Sequence, residues 1–166
     1  MSEHQQGHAL ITPGVLLGIG LGGFFDGILF HQLLQVHSML SARVPRDTVI
    51  GLEINMFWDG LFHAFTWTVT ILGLAMLWRV VQSRTCELST RIFVGSLAVG
   101  WGLFNLVEGI IDHHILHIHH VTESENHLLW DILFLASGVG LIVLGCALIV
   151  SGSKWLLMNN NSGVVR

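Results

Sequence analysis

Four long apolar stretches constrain the fold of this chain more than any other feature. They cover residues 13–40, 54–81, 92–114 and 128–152, and each is long enough for the roughly 20 residues with which a helix crosses a bilayer. Only 11% of the 166 residues are charged, against roughly 25% in soluble globular proteins. The pattern predicts an all-α fold, an integral membrane four-helix transmembrane bundle in which residues 1–166 form a single membrane domain.

The composition excludes several classes of protein. The chain has seven Lys and Arg residues against eleven Asp and Glu residues, so it lacks a cationic surface for phosphate, and we expect no nucleic-acid partner. The high apolar content excludes a disordered chain. The partner that the sequence requires is the lipid bilayer.

The positively charged residues predict the orientation in the membrane. Arg79, Arg84 and Arg91 lie around the connector between the second and third stretches, and Lys154 and Arg166 follow the fourth. The opposite side carries only Arg43 and Arg46. Because cytoplasmic loops are enriched in Lys and Arg, both termini are expected in the cytoplasm.

Glycines recur at helical intervals within two of the stretches. Gly14, Gly18 and Gly22 fall at every fourth residue, and Gly95, Gly102 and Gly109 fall at every seventh. Small residues at such spacing let helices approach closely in lipid, where no hydrophobic effect drives their association. These faces therefore predict tight helix packing, and they also offer a surface for a homo-oligomer.

Acids and histidines inside the stretches all fall in the halves that this orientation places outside. The carboxylates are Asp26, Asp59, Glu108, Asp112 and Asp131, and the histidines are His31, His37, His63, His113 and His114. No Lys or Arg accompanies them in these outer halves, although one charge at mid-membrane costs about 2.5–3.5 kcal/mol. Carboxylates and imidazoles from several helices of one bundle are the donors of dinuclear metal sites. We therefore expect these residues to hold a transition metal as two ions, which offset most of the negative charge.

Helical spacing refines this expectation without completing it. Asp59 and His63 share one helix face, and Glu108 and Asp112 share another. His31 is turned away from Asp26, so it belongs to the same site, to a second site or to a neighbouring subunit, or it only makes a hydrogen bond. Mixed nitrogen and oxygen donors suit iron, zinc or Cu(II) and do not choose among them.

A histidine-rich tract follows the third stretch. It contains His113, His114, His117, His119 and His120. Such tracts often bind metals, but they also form solvated, pH-sensitive loops. His113 and His114 are favoured as ligands over the last three histidines, whose role stays open.

Three motifs carry a resemblance to a known family. They are FFDGILFHQLLQ at residues 24–35, DGLFHAFTW at 59–67 and NLVEGIIDHH at 105–114. With the pair Trp130 and Asp131, they make the chain similar to a bacterial family of predicted four-helix membrane proteins of unknown function. The resemblance implies a multi-pass location in the bacterial inner membrane and no established activity. Through the neighbours of such proteins it also implies copper and a respiratory-oxidase partner.

Three functions are compatible with these features. The first is a membrane metalloenzyme with redox or hydrolytic chemistry. The second is a carrier of a metal such as copper, or a respiratory-oxidase assembly factor, in which loop histidines capture ions. The third is a metal-free proton relay or histidine network. The inner halves of the stretches hold no polar path, and the polar group lies below the surface, so we favour the enzyme.

Overall fold

The computed structural model describes residues 8–83 and 87–161, and these residues form helices and loops without a strand. After a single 3-10 turn at His8–Leu10, helix α1 covers Ile11–Phe25 and continues directly as a π-helix over Asp26–Leu33. An irregular connector then leads to helix α2, which covers Val49–Ser83.

The second half of the chain has the same plan. Helix α3 covers Thr90–Glu108, and a second π-helix continues it over Gly109–Ile115. After a second connector, helix α4 covers His127–Asn161. All four helices are long and apolar enough to cross a membrane, which confirms the predicted all-α transmembrane fold.

The first helix ends at Leu33, although the apolar run that predicts it continues to residue 40. Residues 34–48 fold back over the end of the bundle instead. The backbone N–H groups of Met39 and Leu40 donate to the side chains of Asp59 and Asn55, at 2.8 and 3.0 Å. Two polar side chains of α2 thus hold this apolar segment outside the first helix. A prediction from the length of the apolar run does not include such hydrogen bonds, so it extends the helix too far.

Helix packing follows the order α2–α1–α3–α4. The central helices cross where Gly18 meets Gly100, and a Cβ atom added to either residue would lie 2.9 Å from the Cα of the other. On the far side of α3, Gly95 and Gly102 meet the backbone of α4 in the same way. Small residues thus make these contacts, as their spacing predicts. These four glycines therefore pack against helices of their own chain.

The outer helices α2 and α4 present a broad apolar surface. Large side chains such as Trp67, Trp78, Val143 and Leu144 are exposed there. Unpartnered apolar residues around two long helices are typical of contact with lipid acyl chains. The surface therefore suits the bilayer as partner.

The two halves of the chain are versions of one unit. Residues 26–39 read DGILFHQLLQVHSM and residues 108–121 read EGIIDHHILHIHHV, so one acid, one glycine and two histidines recur in register. The backbone repeats as well, since each segment begins with a π-helix. Gln35 and His117, at matching positions, are the described residues other than glycine with positive φ, at 51° and 49°. Each half is thus one helix–loop–helix repeat.

The positive residues keep their distribution in this fold. Arg79 and Arg91 lie at the end of the bundle where α2 ends and α3 begins, and Lys154 lies near the end of α4 on the same side. Arg43 and Arg46 lie in the first connector, at the opposite end. Arg84 and Arg166, which contribute to the predicted orientation, lie outside the described residues.

Candidate metal centre

A buried group of acids and imidazoles lies where the two π-helices meet the two connectors. Asp26 and Glu108 are 3% and 5% exposed, and the four histidines beside them are buried as completely. We call this group the buried cluster; its members are Asp26, His31, His37, Glu108, His113 and His119. Three of these residues come from each repeat.

The π-helices decide which side chains enter the buried cluster. Residues five apart share a face of a π-helix, whereas residues three or four apart share a face of an α-helix. His31 therefore lies beside Asp26, with 3.0 Å between Nε2 and Oδ2. The expected separation of the two residues assumed α-helical geometry, and the structure corrects it. Asp112, expected on the face of Glu108, is half-buried and lines a cleft together with Glu108.

Two carboxylates from the outer helices hold histidines of the buried cluster in place. Asp59 Oδ1 lies 2.9 Å from His31 Nδ1 and accepts the backbone N–H of Met39. Asp131 Oδ1 lies 3.1 Å from His113 Nδ1 and accepts the backbone N–H of Val121 at 3.0 Å. Metal-binding histidines commonly have such a carboxylate on the ring nitrogen that does not face the metal. The sequence predicts both acids as ligands. In the structure they lie against Nδ1 of His31 and of His113 and are absent from the converging donor sets.

His37 and His119 face each other between the two repeats. Their ring planes differ by 8°, and their centroids are 4.8 Å apart. His37 Nδ1–H donates to the carbonyl of Val121 at 3.0 Å, and His119 Nδ1–H donates to the carbonyl of Met39 at 3.1 Å. This reciprocal pairing is the mark of an approximate twofold axis between the repeats.

The same hydrogen bonds set the chemistry of the two rings. A ring that donates from Nδ1 keeps the lone pair of Nε2 for another partner as long as it is neutral. Burial lowers the pKa of His119 well below its usual value, and the neighbouring His37 and His113 lower it further. The Nε2 atom of His119 lies 3.4 Å from Glu108 Oε1, so this nitrogen and this carboxylate could face one cation together.

Several buried atoms of the cluster have no hydrogen-bond partner within the described ranges. They are Asp26 Oδ2, His31 Nε2, His37 Nε2, Glu108 Oε2 and both ring nitrogens of His113. An unsatisfied buried polar atom costs about 1–3 kcal/mol, so this many in one place requires an explanation. Even the close approach of His31 Nε2 to Asp26 Oδ2 lies outside hydrogen-bond geometry.

The donor atoms converge in sets that fit the coordination of an ion. Within each set one atom per residue lies within 4.8 Å of the others; the sets are His31–His37–His119, Glu108–His113–His119 and Asp26–His31–Glu108. Every member is buried. Each set combines residues from at least two helices or connectors, and two of the three sets contain residues of both repeats.

Besides Asp59 and Asp131, three further residues expected at the site lie outside these sets. His63 Nδ1–H donates to the carbonyl of Asp59 one turn earlier, at 2.7 Å, and the ring is half-buried. His114 Nδ1–H donates to the carbonyl of Gly109 in the same π-helix, at 2.8 Å. Asp112 lines a cleft beside the cluster. The expected residues that do enter the buried cluster are Asp26, His31, His37, Glu108 and His113.

His119 is the member of the buried cluster that the sequence analysis did not favour. It is 0% exposed, although it lies in the histidine-rich tract that resembles a solvated loop. The repeat contains the missing signal, because His119 holds the position in residues 108–121 that His37 holds in residues 26–39. An internal comparison of the sequence would have selected it over His114.

A second group of histidines lies at the rim above Asp131. The rings of His120 and His127 are 4.4 Å apart, and those of His117 and His120 are 5.9 Å apart. His120 Nδ1 lies 2.7 Å from Asp131 Oδ2. We call His117, His120 and His127 the rim histidines. The first repeat has Gln35, Ser38 and Asn55 in their places, so the group belongs to the second repeat alone.

Comparison with known proteins gives a family and no activity. Residues 13–152 match the family described as "Predicted membrane protein (DUF2243)". No curated protein and no solved structure matches the chain. The match includes both repeats and every residue of the buried cluster. The chain therefore belongs to this DUF2243 family of predicted membrane proteins, whose function is unknown.

Proposed function

We propose that this protein is a membrane metalloprotein whose buried cluster binds two transition-metal ions. The observation that carries the proposal is the convergence of unpaired buried oxygen and nitrogen atoms from two repeats. Metal ions can satisfy oxygen and nitrogen atoms that converge without bonding to one another, whereas a hydrogen-bond network would have paired most of them. The metal-free proton relay is therefore the weaker alternative.

The approximate twofold axis supports two ions. Each repeat contributes one carboxylate and two imidazoles, which are Asp26, His31 and His37 in the first and Glu108, His113 and His119 in the second. The carboxylates of Asp59 and Asp131 lie directly behind. Two divalent ions would balance the charge of these four acids in a part of the membrane where unbalanced charge is expensive.

The donor chemistry narrows the choice of metal. Two imidazoles and one carboxylate are the donors of non-haem Fe(II) centres, and the same donors also bind zinc and Cu(II). Cu(I) is disfavoured because it prefers thiolate or thioether donors, and the candidate ligand sets contain neither. Bound iron or copper would supply redox chemistry, and bound zinc would activate water. The chain itself supplies the burial, and hydrogen bonds at Nδ1 hold the rings of His31, His37 and His119 in place.

The burial of the site supports an enzyme or another protein that retains its metal. The alternative is a metal carrier or a respiratory-oxidase assembly factor, and the rim histidines favour it. They lie closer to the surface than the buried cluster, and through His120 and Asp131 they connect to His113. We place the protein in the bacterial inner membrane, with the buried cluster in the outer half.

Metal analysis of protein purified without a histidine tag tests the proposal. We expect two ions per chain in the unmodified protein. His119→Ala removes a member of two of the three ligand sets, so it should lose at least one ion. His63→Ala is the matched control, because His63 is a histidine of the same bundle that bonds only to its own helix among the described contacts, and it should keep both ions.

Two results would contradict the proposal. One is unmodified protein that binds no transition metal even after incubation with iron, zinc and copper salts. The other is equal metal content in the His119→Ala and unmodified proteins. Either result would return the buried cluster to the metal-free interpretation.

A further inference from the structure

An apolar cleft lies between α2 and α3 and ends beside the buried cluster. Both helices pack on α1, but in the described chain their backbones do not contact each other. The cleft has a volume of about 480 Å³, with walls that include Trp58, Phe62, Phe65 and Phe104. Trp58 and Phe65 are partly exposed on the apolar face of the bundle, so the cleft opens where lipid would lie. Glu108 and Asp112 line the cleft at the end nearest the connectors.

The repeat provides an internal comparison for this cleft. The equivalent space, on the other side of the bundle, has a volume of about 320 Å³ and is lined by Phe25, Asp26, Phe30 and Phe134. Asp26 there corresponds to Glu108, and Phe30 corresponds to Asp112. The rings of Phe25 and Phe30 meet edge to face with 5.9 Å between centroids.

Two of the differences between the linings concern aromatic rings. Where the first repeat has Phe25 and Phe30, the second has Val107 and Asp112. Asp112 places a second carboxyl group in the same lining as Glu108, whereas the equivalent space has one carboxyl group, that of Asp26. The cleft between α2 and α3 therefore differs from its counterpart in volume and in its acids.

The two acids at this end of the cleft determine which head group an occupant can have. Glu108 is 5% exposed, and its Oε2 atom has no hydrogen-bond partner among the described residues. Asp112 is half-buried beside it. The described lining contains no Lys or Arg, so the acids would repel a carboxylate or phosphate head. Carboxylate oxygens accept hydrogen bonds, and a hydroxyl group donates one without bringing a negative charge.

The walls select the remainder of the molecule. They are hydrocarbon and aromatic from the opening to the acids, and the rings of Phe62 and Phe104 lie 6.0 Å apart across the floor. A long alkyl chain fits such walls, and it keeps its owner dissolved in the bilayer from which the cleft opens.

We infer that the cleft between α2 and α3 binds an uncharged, membrane-dissolved long-chain alcohol, with its hydroxyl group donating to Glu108 and Asp112. Glu108 also belongs to the buried cluster, so the hydroxyl group lies next to the proposed ions. This inference thus names the ligand class of the proposed metal centre and rests on that proposal for its functional meaning. Occupation of the cleft itself needs only the two acids and the apolar walls.

Tryptophan fluorescence of the full chain in nanodiscs tests the inference. The probes are a long-chain alcohol, the fatty acid of equal length and the alkane of equal length. Each carries bromine atoms at the same carbons near one end of the chain, which is the head-group end in the alcohol and the fatty acid, so that it quenches fluorescence. We expect saturable quenching by the alcohol at about tenfold lower concentration than by the other two, because a hydrogen bond to a charged group is worth about that much. Trp58→Phe should remove most of the quenching, since Trp58 lines the cleft.

Two variants at Asp112 separate the head-group contact from the space. Asp112→Phe restores the residue of the first repeat and should abolish the preference for the alcohol. Asp112→Asn keeps the shape and one acceptor oxygen, so it should retain the preference in weakened form. Phe30→Leu, in the equivalent position of the other repeat, is the matched control and should leave the preference unchanged.

Equal quenching by all three probes in the unmodified protein would overturn the inference, since the cleft would then hold bulk lipid only. Metal content is measured on the same samples. If the unmodified protein binds two ions but shows no preference for the alcohol, this inference alone would be overturned. A clear preference in protein that binds no metal would overturn the proposed function and leave the cleft as an alcohol site.

Discussion

At the residue scale, the site separates carboxylates that face the cluster from carboxylates that stand behind it. Asp26 has an unpaired oxygen among the converging donors. Asp59 has its Oδ1 atom occupied by His31 and by the N–H of Met39. The two acids carry the same charge and are both buried, so their substitution should have different consequences for metal binding.

We expect Asp59→Asn to weaken metal affinity by about 10–100-fold while leaving two ions per chain at saturating metal, as is common when a residue behind a ligand is changed. Asn keeps an oxygen that can accept from both partners. Asp26→Asn should lose an ion even at saturation, because a ligand is removed. Titration of metal-depleted protein, followed by elemental analysis, distinguishes the two. Loss of an ion from Asp59→Asn at saturation would make Asp59 a ligand, as the sequence alone predicts.

The sequence predicts those residues of the candidate site that are ionisable and lie within an apolar stretch, because placing them in the membrane costs free energy. Acids and histidines within apolar stretches are expensive, so Asp26, Glu108 and His113 could be assigned to one site by this criterion, whereas it leaves the place of His31 open. This criterion does not select His119, which lies outside the helices; only the comparison of the two repeats selects it. Its local sequence does not show that its Nδ1–H donates to the carbonyl of Met39 in the other repeat. Contacts between distant connectors are a property of the folded chain.

At the element scale, the two π-helices determine the geometry of the site. The sequence predicts where each transmembrane helix begins to within a few residues, because apolar length decides that. It does not predict the change from α to π after Phe25 and after Glu108. The wider turn brings His31 beside Asp26 and turns Asp112 toward the cleft. An α-helical projection cannot reproduce either position.

The rim histidines are the element that separates an enzyme from a carrier. Replacement of His117, His120 and His127 by alanine should leave two ions per chain, because none of the three belongs to a ligand set. If the protein retains its metal for catalysis, a chelator should strip the ions slowly from both the unmodified protein and the triple variant. Stopped-flow chelation measures the rates. Stripping within seconds from the unmodified protein, slowed in the variant, would support the carrier instead.

At the scale of the whole molecule, the protein is a pair of repeats that build one site on their common axis. The candidate ligand sets draw on both repeats, since two of the three contain residues of each, and the stacked pair His37 and His119 contains one ring from each. The axis runs along the helices because α1 and α3 are parallel, so both half-sites lie at the same end of the bundle. The depth of the site and its accessibility from one side of the membrane follow from this arrangement.

The side to which the site opens is the last prediction. The end of the bundle without the cluster carries Arg79, Arg91 and Lys154, and the positive-inside rule places it in the cytoplasm. In a chain whose native cysteines are replaced by serine, Ser124→Cys adds a thiol to the exposed connector above the site, and Glu87→Cys adds one at the opposite end. A membrane-impermeant maleimide applied to spheroplasts should label the first and not the second, and both should react after lysis. The reverse pattern would place the buried cluster in the cytoplasmic half, where its metal would come from the cytoplasm.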